Sequence, residues 1–196
     1  MNTGINRSES KGKKKMNLCK NLSVIAIAVT SVALAAKNPM VGGQEMFPTR
    51  NIVQNAVNSA DHTTLVAAVK AAGLVDTLQG PGPFTVFAPT DAAFNKLPVG
   101  SVDTLLQPEN KDALTKVLTY HVVAGRMSAM DLKKAIKAGG GKAELNTVSG
   151  GKLWAMMKGN MIMLKDEKGD VASVTQADVF QSNGVIHVID AVVLPN

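Results

Sequence analysis

The stretch Phe180–Pro195, FQSNGVIHVIDAVVLP, sets one histidine and one aspartate in an apolar run that opens on Asn183-Gly184. Asn-Gly suits a tight turn, because glycine enters left-handed conformations without a Cβ penalty. After it Val185, His187 and Ile189 alternate with Ile186, Val188 and Asp190 through a strand expected over Val185–Val193. Both faces are mostly apolar, the pattern of a central strand covered on two sides. His187 and Asp190 then fall on opposite faces, so they do not form a catalytic dyad. A buried imidazole must have its nitrogens paired, which makes His187 a structural residue.

A second stretch, FTVFAPTDAAF at Phe84–Phe94, reads as a strand, a proline turn and a short helix. Phe84, Val86 and Phe94 belong in the core, and Thr90 or Asp91 satisfies the open amides of the helix start. Between the two stretches lies the pair Tyr120-His121, at the passage from a helix into a strand over Tyr120–Val123. There the tyrosine is expected to pack and to bond locally through its hydroxyl.

Helical periodicity dominates the first half of the folded part. Ile52, Val53, Ala56 and Val57 share one face; Asp61 is placed to cap a helix that carries Leu65, Val66, Val69 and Ala72 and stops at Gly73. His62, at that helix start, is expected to face solvent. Pro108 opens a longer helix with Leu114, Val117 and Leu118 as its stripe, and Ser128-x-x-Asp131 forms a capping box. From Ala143 onward the chain is strand-like. Helices first and strands later predict an α+β fold.

Ahead of this lies a leader. Lys11, Lys13, Lys14, Lys15 and Lys20 precede an uncharged run from Asn21 to Ala36, closing on Ala33-Leu34-Ala35. These are the three parts of a secretory signal peptide, here residues 1–35, with Met16 as an alternative start. The run is short of the about 20 apolar residues of a spanning helix, so no stable membrane span is expected after cleavage. The only cysteine, Cys19, is inside the leader. Residues 36–49, AKNPMVGGQEMFPT, read as a flexible linker, and 50–196 as one domain.

The leader also carries most of the charge excess. Of 21 Lys and Arg, six lie in residues 1–35, against one of 15 acidic residues. The formal net charge of +6 therefore falls to +1, which disfavours nucleic acid as a partner. Three scattered histidines without cysteine make no zinc motif, no nucleophile or phosphate-loop motif is present, and no cofactor is expected.

One segment is suggestive of binding. Gly159-Asn160 predicts a two-residue hairpin in which Lys158 faces Met161, Met156 faces Met163 and Trp154 faces Lys165. Leu153, Ala155, Met157, Ile162 and Leu164 then take the core side. The opposite side, with Trp154, Met156, Met161 and Met163, is a packed second layer, a partner-binding patch or a thioether site for Cu(I).

The three segments, in this order and spread over residues 51–195, resemble the fasciclin domain family. That resemblance implies a compact domain of strands, in a sandwich or wedge, flanked by short helices. It also implies a non-enzymatic role in cell adhesion or matrix interaction, with a cell-surface or matrix protein or polysaccharide as partner. In periostin-like animal members, positions matching Tyr120-His121 and Asp178-Val179 are linked to integrin binding, although Val179 departs from the isoleucine of that pattern. Thr90, Asp91, Asn183, Gly184, His187 and Asp190 are then signature residues of the fold. The reading that follows is a secreted or periplasmic adhesion domain; the alternative is an exported carrier of a small ligand or copper.

Overall fold

The computed structural model describes residues 38–98 and 100–196. The leader, with Cys19 and Met16, lies outside them. The described residues belong to one compact unit.

Two short strands, β1 (Met40–Val41) and β2 (Gln44–Glu45), come first. Helices α1 (Ile52–Ala56), α2 (Thr63–Ala72) and α3 (Val75–Gln79) follow. Strand β3 (Phe84–Pro89) leads through α4 (Asp91–Phe94) and α5 (Ser101–Leu105) to α6 (Lys111–Tyr120) and β4 (Val122–Ala124). Helix α7 (Ala129–Ala138) precedes β5 (Lys142–Asn146), β6 (Lys152–Lys158), β7 (Met161–Lys165), β8 (Val171–Gln181) and β9 (Gly184–Ile189). The α+β order read from the sequence is therefore the observed one.

Seven strands form one sheet in the order β4-β3-β9-β8-β7-β6-β5, with β3 and β9 parallel and the other neighbours antiparallel. The sheet rolls until its two edges meet. Val123 bridges Thr147, and the Val148 amide donates to the Val122 carbonyl at 2.8 Å. The expected sandwich or wedge is thus a single, nearly closed sheet. Closure removes the exposed edges that a seven-stranded sheet would otherwise offer to other chains.

Rolling creates two cores. Inside the sheet Phe87, Leu145, Leu153, Ala155, Leu164, Ala172 and Ile189 pack together with Leu132 and Ile136 of α7. Outside it, Val86, Ala88, Ile186 and Val188 meet the apolar faces of α1, α2 and α6. Strand β9 lies between these cores and is buried at all six positions, as its two apolar faces predict.

The linker expected over 36–49 needs correction. Strands β1 and β2 pair through a turn with Gly42 and Gly43 at positive φ, and Val41 and Met46 are buried in the helix-side core. The Gly-Gly pair that suggested a linker supplies this turn, which is too short for periodicity to show.

Candidate functional site

Tyr120 ends α6 and is fully buried, and His121 follows it at 3% exposure. The Tyr120 hydroxyl donates to the Lys152 carbonyl at 2.5 Å and accepts the Glu167 amide at 3.2 Å. His121 donates from Nδ1 to the Val117 carbonyl at 2.8 Å, and its Nε2 accepts the Val193 amide at 3.2 Å. Burial pushes the Tyr120 phenol up to about 12 and lowers His121 to about 4. At this helix-to-strand corner Tyr120 reaches β6 and the segment between β7 and β8, while His121 reaches the returning C-terminal segment.

Asp178 sits at a bulge of β8 with φ of 61°, and the adjoining Val179 is fully buried. The Asp178 carboxylate accepts the first amide of α7, from Ala129, at 2.7 Å, while its own amide donates to His187 Nδ1 at 3.3 Å. His187 Nε2 donates to the Met127 carbonyl at 2.9 Å, and the ring stacks on Phe87. Burial lowers the His187 pKa, in keeping with a neutral ring. Tyr120, His121 and Val179, expected to contact a partner, have no surface to present. They bond and pack within the fold, and only Asp178 among the four is partly exposed.

The other signature residues also act internally. Thr90 caps α4 through the Ala93 amide. Asp91 instead caps α2, accepting the amides of Thr63 at 3.2 Å and Thr64 at 2.8 Å and the Thr63 hydroxyl at 2.6 Å. Asp61 was expected in that role; its carbonyl accepts the Asp91 amide, and His62 occupies the cap position without a side-chain bond to the α2 amides. Asn183 accepts the Ile52 amide and donates to the Leu78 and Gly80 carbonyls, tying α1 and α3 to the sheet. Gly184 is not left-handed. A Cβ there would lie 2.2 Å from the Phe84 carbonyl oxygen, so close strand approach is what requires glycine. Asp190 lies just past β9, accepts the Ser173 amide at 2.7 Å and sits 3.8 Å from Lys96. It has no contact with His187, whose partners are those given above.

His62 is buried at 2% exposure, against the expectation that it faces solvent. The β1–β2 turn covers its neighbour Ser59, whose hydroxyl lies 2.8 Å from His62 Nδ1. Burial lowers the His62 pKa. Sequence reading missed two further acids. Asp166, 1% exposed, accepts the Leu194 and Asp170 amides, and Glu167 accepts those of Lys152 and Asn196. Their sequence, Asp166-Glu167-Lys168-Gly169-Asp170, carries a turn signal but nothing that names the distant C-terminal partner.

The outer face of the hairpin is partly open to solvent. Its register is the expected one, with Trp154 opposite Lys165, Met156 opposite Met163 and Lys158 opposite Met161. Leu153, Ala155, Ile162 and Leu164 point into the sheet interior. Trp154, Met156 and Met163 are half-buried and Met161 is 52% exposed, so this side is not a second core layer. Lys142 Nζ lies 5.1 Å from the centre of the Trp154 ring, and Lys152 pairs with Glu144 at 2.9 Å. Among the described residues no group of three or more His, Cys, Asp or Glu side chains is disposed to hold a metal.

A rolled α+β sheet with a buried Tyr-His corner and an Asn-Gly strand entry defines a domain class, and comparison with known proteins supplies its family. The fasciclin domain matches residues 60–195, and the chain belongs to that family. It is 42% identical over 174 residues to Protein sll1483 of Synechocystis sp., covering 89% of each chain. It is 31% identical over 167 residues to the cell surface glycolipoprotein MPB83 of Mycobacterium bovis, covering 82% of this chain and 68% of that one. The fold matches the FAS1 domain pair of the insect cell adhesion molecule fasciclin I, with a TM-score of 0.68 and 19% identity. That match covers 75% of this chain and 51% of the other.

Proposed function

We propose that the protein is a non-enzymatic adhesion module, exported to the periplasm or cell surface, that binds a surface or matrix component. The observation that carries this reading is the fasciclin match over residues 60–195, a domain of adhesion proteins. The sequence of the leader supports export, and MPB83 is described as a cell surface protein. No helix among the described residues is long and apolar enough to cross a membrane. Tyr120, His121 and His187 bond internally, so binding falls to exposed side chains, foremost the outer side of the β6–β7 hairpin. The ligand-carrier alternative gains only the Met156–Met163 pairing.

The test is adhesion of the purified mature protein to cells of its own host and to their isolated envelope material. Saturable retention that Trp154→Ala with Met161→Ala reduces, without altering the fold, is the expected result. Absence of retention on all such surfaces would overturn the reading.

A further inference from the structure

The net charge of +1 over residues 36–196 hides a strong segregation. Residues 133–165 hold seven lysines and a single acid, Glu144, whereas the remainder of residues 36–196 holds eight Lys and Arg against thirteen Asp and Glu. The first segment therefore carries +6 and the rest −5.

All seven lysines, Lys133, Lys134, Lys137, Lys142, Lys152, Lys158 and Lys165, are exposed. Strand alternation places Lys142, Lys152, Lys158 and Lys165 on the outer side of β5, β6 and β7, the side of Trp154, Met156 and Met163. Lys133 Nζ lies 3.5 Å from Asn160 at the hairpin turn, which brings this one α7 lysine to the edge of that surface. On the strands Glu144 pairs with Lys152 at 2.9 Å, and beside the face Glu167 acts on Lys152 and Asp131 on Lys134, so Lys158 and Lys165 carry its uncompensated charge.

We infer that this outer sheet face is a docking surface for an acidic polysaccharide, a carboxylated or sulfated glycan. The inference rests on the adhesion reading and names its partner class. Charge complementarity selects a polyanion. The basic residues of 133–165 are all lysine, each a hydrated point charge on a flexible stem rather than a rigid bidentate fork. Flexible ammonium groups, spread over a sheet, match charges repeated loosely along a sugar chain. Trp154 and the methionines supply apolar surface for the carbohydrate C–H faces between those charges. Several weak contacts along one polymer add through effective concentration, which gives a single domain useful retention.

The test uses alginate, a polyuronate, with neutral dextran as control, and measures binding of the mature protein at low salt and at about 0.5 M salt. Two double variants change the same charge in different places: Lys158→Gln with Lys165→Gln on the face, and Lys70→Gln with Lys111→Gln on the helical side. The expected result is alginate binding that salt abolishes, weakened roughly tenfold by the face pair and less than about twofold by the helical pair. Equal effects of the two pairs would overturn the assignment of this face. Binding to phosphatidylglycerol vesicles or single-stranded DNA in place of alginate would overturn the glycan. So would lysine-dependent self-association seen by sedimentation without alginate binding. Adhesion to cells without alginate binding sinks only the glycan inference; alginate binding without adhesion to cells sinks only the adhesion reading.

Discussion

His121 and Val193 are 72 residues apart and joined by one hydrogen bond, in which the neutral imidazole Nε2 accepts the Val193 amide at 3.2 Å. The bond is one of a row along the C-terminal segment. Leu194 donates to Asp166, Asn196 donates to Glu167, and Lys116 donates to the Asn196 carbonyl. Tyr120 steadies the other side of that row through Lys152 and Glu167. The Tyr-His corner therefore holds the closing segment of the chain against the sheet, and its apparent chemistry is consumed in doing so.

That arrangement makes stability fall in acid. Burial first, against a smaller opposing effect of the Val117 carbonyl bond, lowers His121 to about 4 from an unfolded value of 6.5. Above pH 6.5 both states are neutral and nothing is lost. Between 6.5 and 4 the unfolded chain binds the proton and the folded chain does not, so stability declines as pH falls. His121 alone contributes a loss of about 2 kcal/mol at pH 5 and about 3 kcal/mol below pH 4. His62 and His187, also lowered by burial, act in the same direction. Urea unfolding at pH 7.5 and pH 5 measures the difference; equal stability at the two values would sink the account.

Tyr120 is the only tyrosine, so its ionisation can be read without assignment. Burial raises the phenol to about 12. Absorbance at the tyrosinate band should stay flat through pH 10, where a free phenol is half ionised, and rise only near 12 or when the fold gives way. Tyr120→Phe removes two internal bonds and should cost about 1–3 kcal/mol, since the Lys152 carbonyl and Glu167 amide lose their partner. A titration midpoint near 10 in folded protein would contradict the buried geometry.

Periodicity and local chemistry were legible in this chain. The Ser128–Asp131 capping box, the β6–β7 register and the double-sided burial of β9 all follow from residues near one another in sequence. What could not be read depends on partners far away. Asp91 looks like a cap for the helix it starts, but its carboxylate reaches α2, 27 residues earlier. His62 looks exposed because the β1–β2 turn that covers its surroundings comes from residues without a pattern of their own. Tyr120-His121 resembles a binding motif in sequence, and only the rolled sheet and the returning C-terminus reveal what occupies it. The lysine face was obscured for another reason: summing charge over the chain cancels what the fold keeps apart.

Asp91 gives a direct test of long-range capping. Burial acts to raise its carboxyl, and the bonds from Thr63 and Thr64 outweigh burial and hold it below the usual range. Replacing it by alanine opens the α2 amides while leaving Thr90 in place at α4. The expected cost of Asp91→Ala is about 1–2 kcal/mol, with Asp91→Asn retaining a good part of the cap. Slower loss of amide-exchange protection at α4 than at Thr63–Leu65 would show which helix the carboxylate serves. If Asp91→Ala and wild type unfold at the same urea concentration, the capping assignment is wrong.

The two hairpin glycines separate conformational need from close approach. Gly159 has φ of 62° and open space around its Cβ position, so Gly159→Ala carries only the left-handed penalty, about 1–2 kcal/mol. Gly184 has an ordinary φ, but an added Cβ would meet the Phe84 carbonyl at 2.2 Å and its carbon at 3.0 Å. Those atoms belong to the parallel pairing of β3 with β9, where backbone cannot yield without moving both cores. Gly184→Ala should therefore cost more than Gly159→Ala, by about 1–3 kcal/mol of overpacking. Thermal unfolding of the two variants compares them in one measurement. A Gly184→Ala protein as stable as wild type would mean that β3 and β9 separate more readily than their contacts imply.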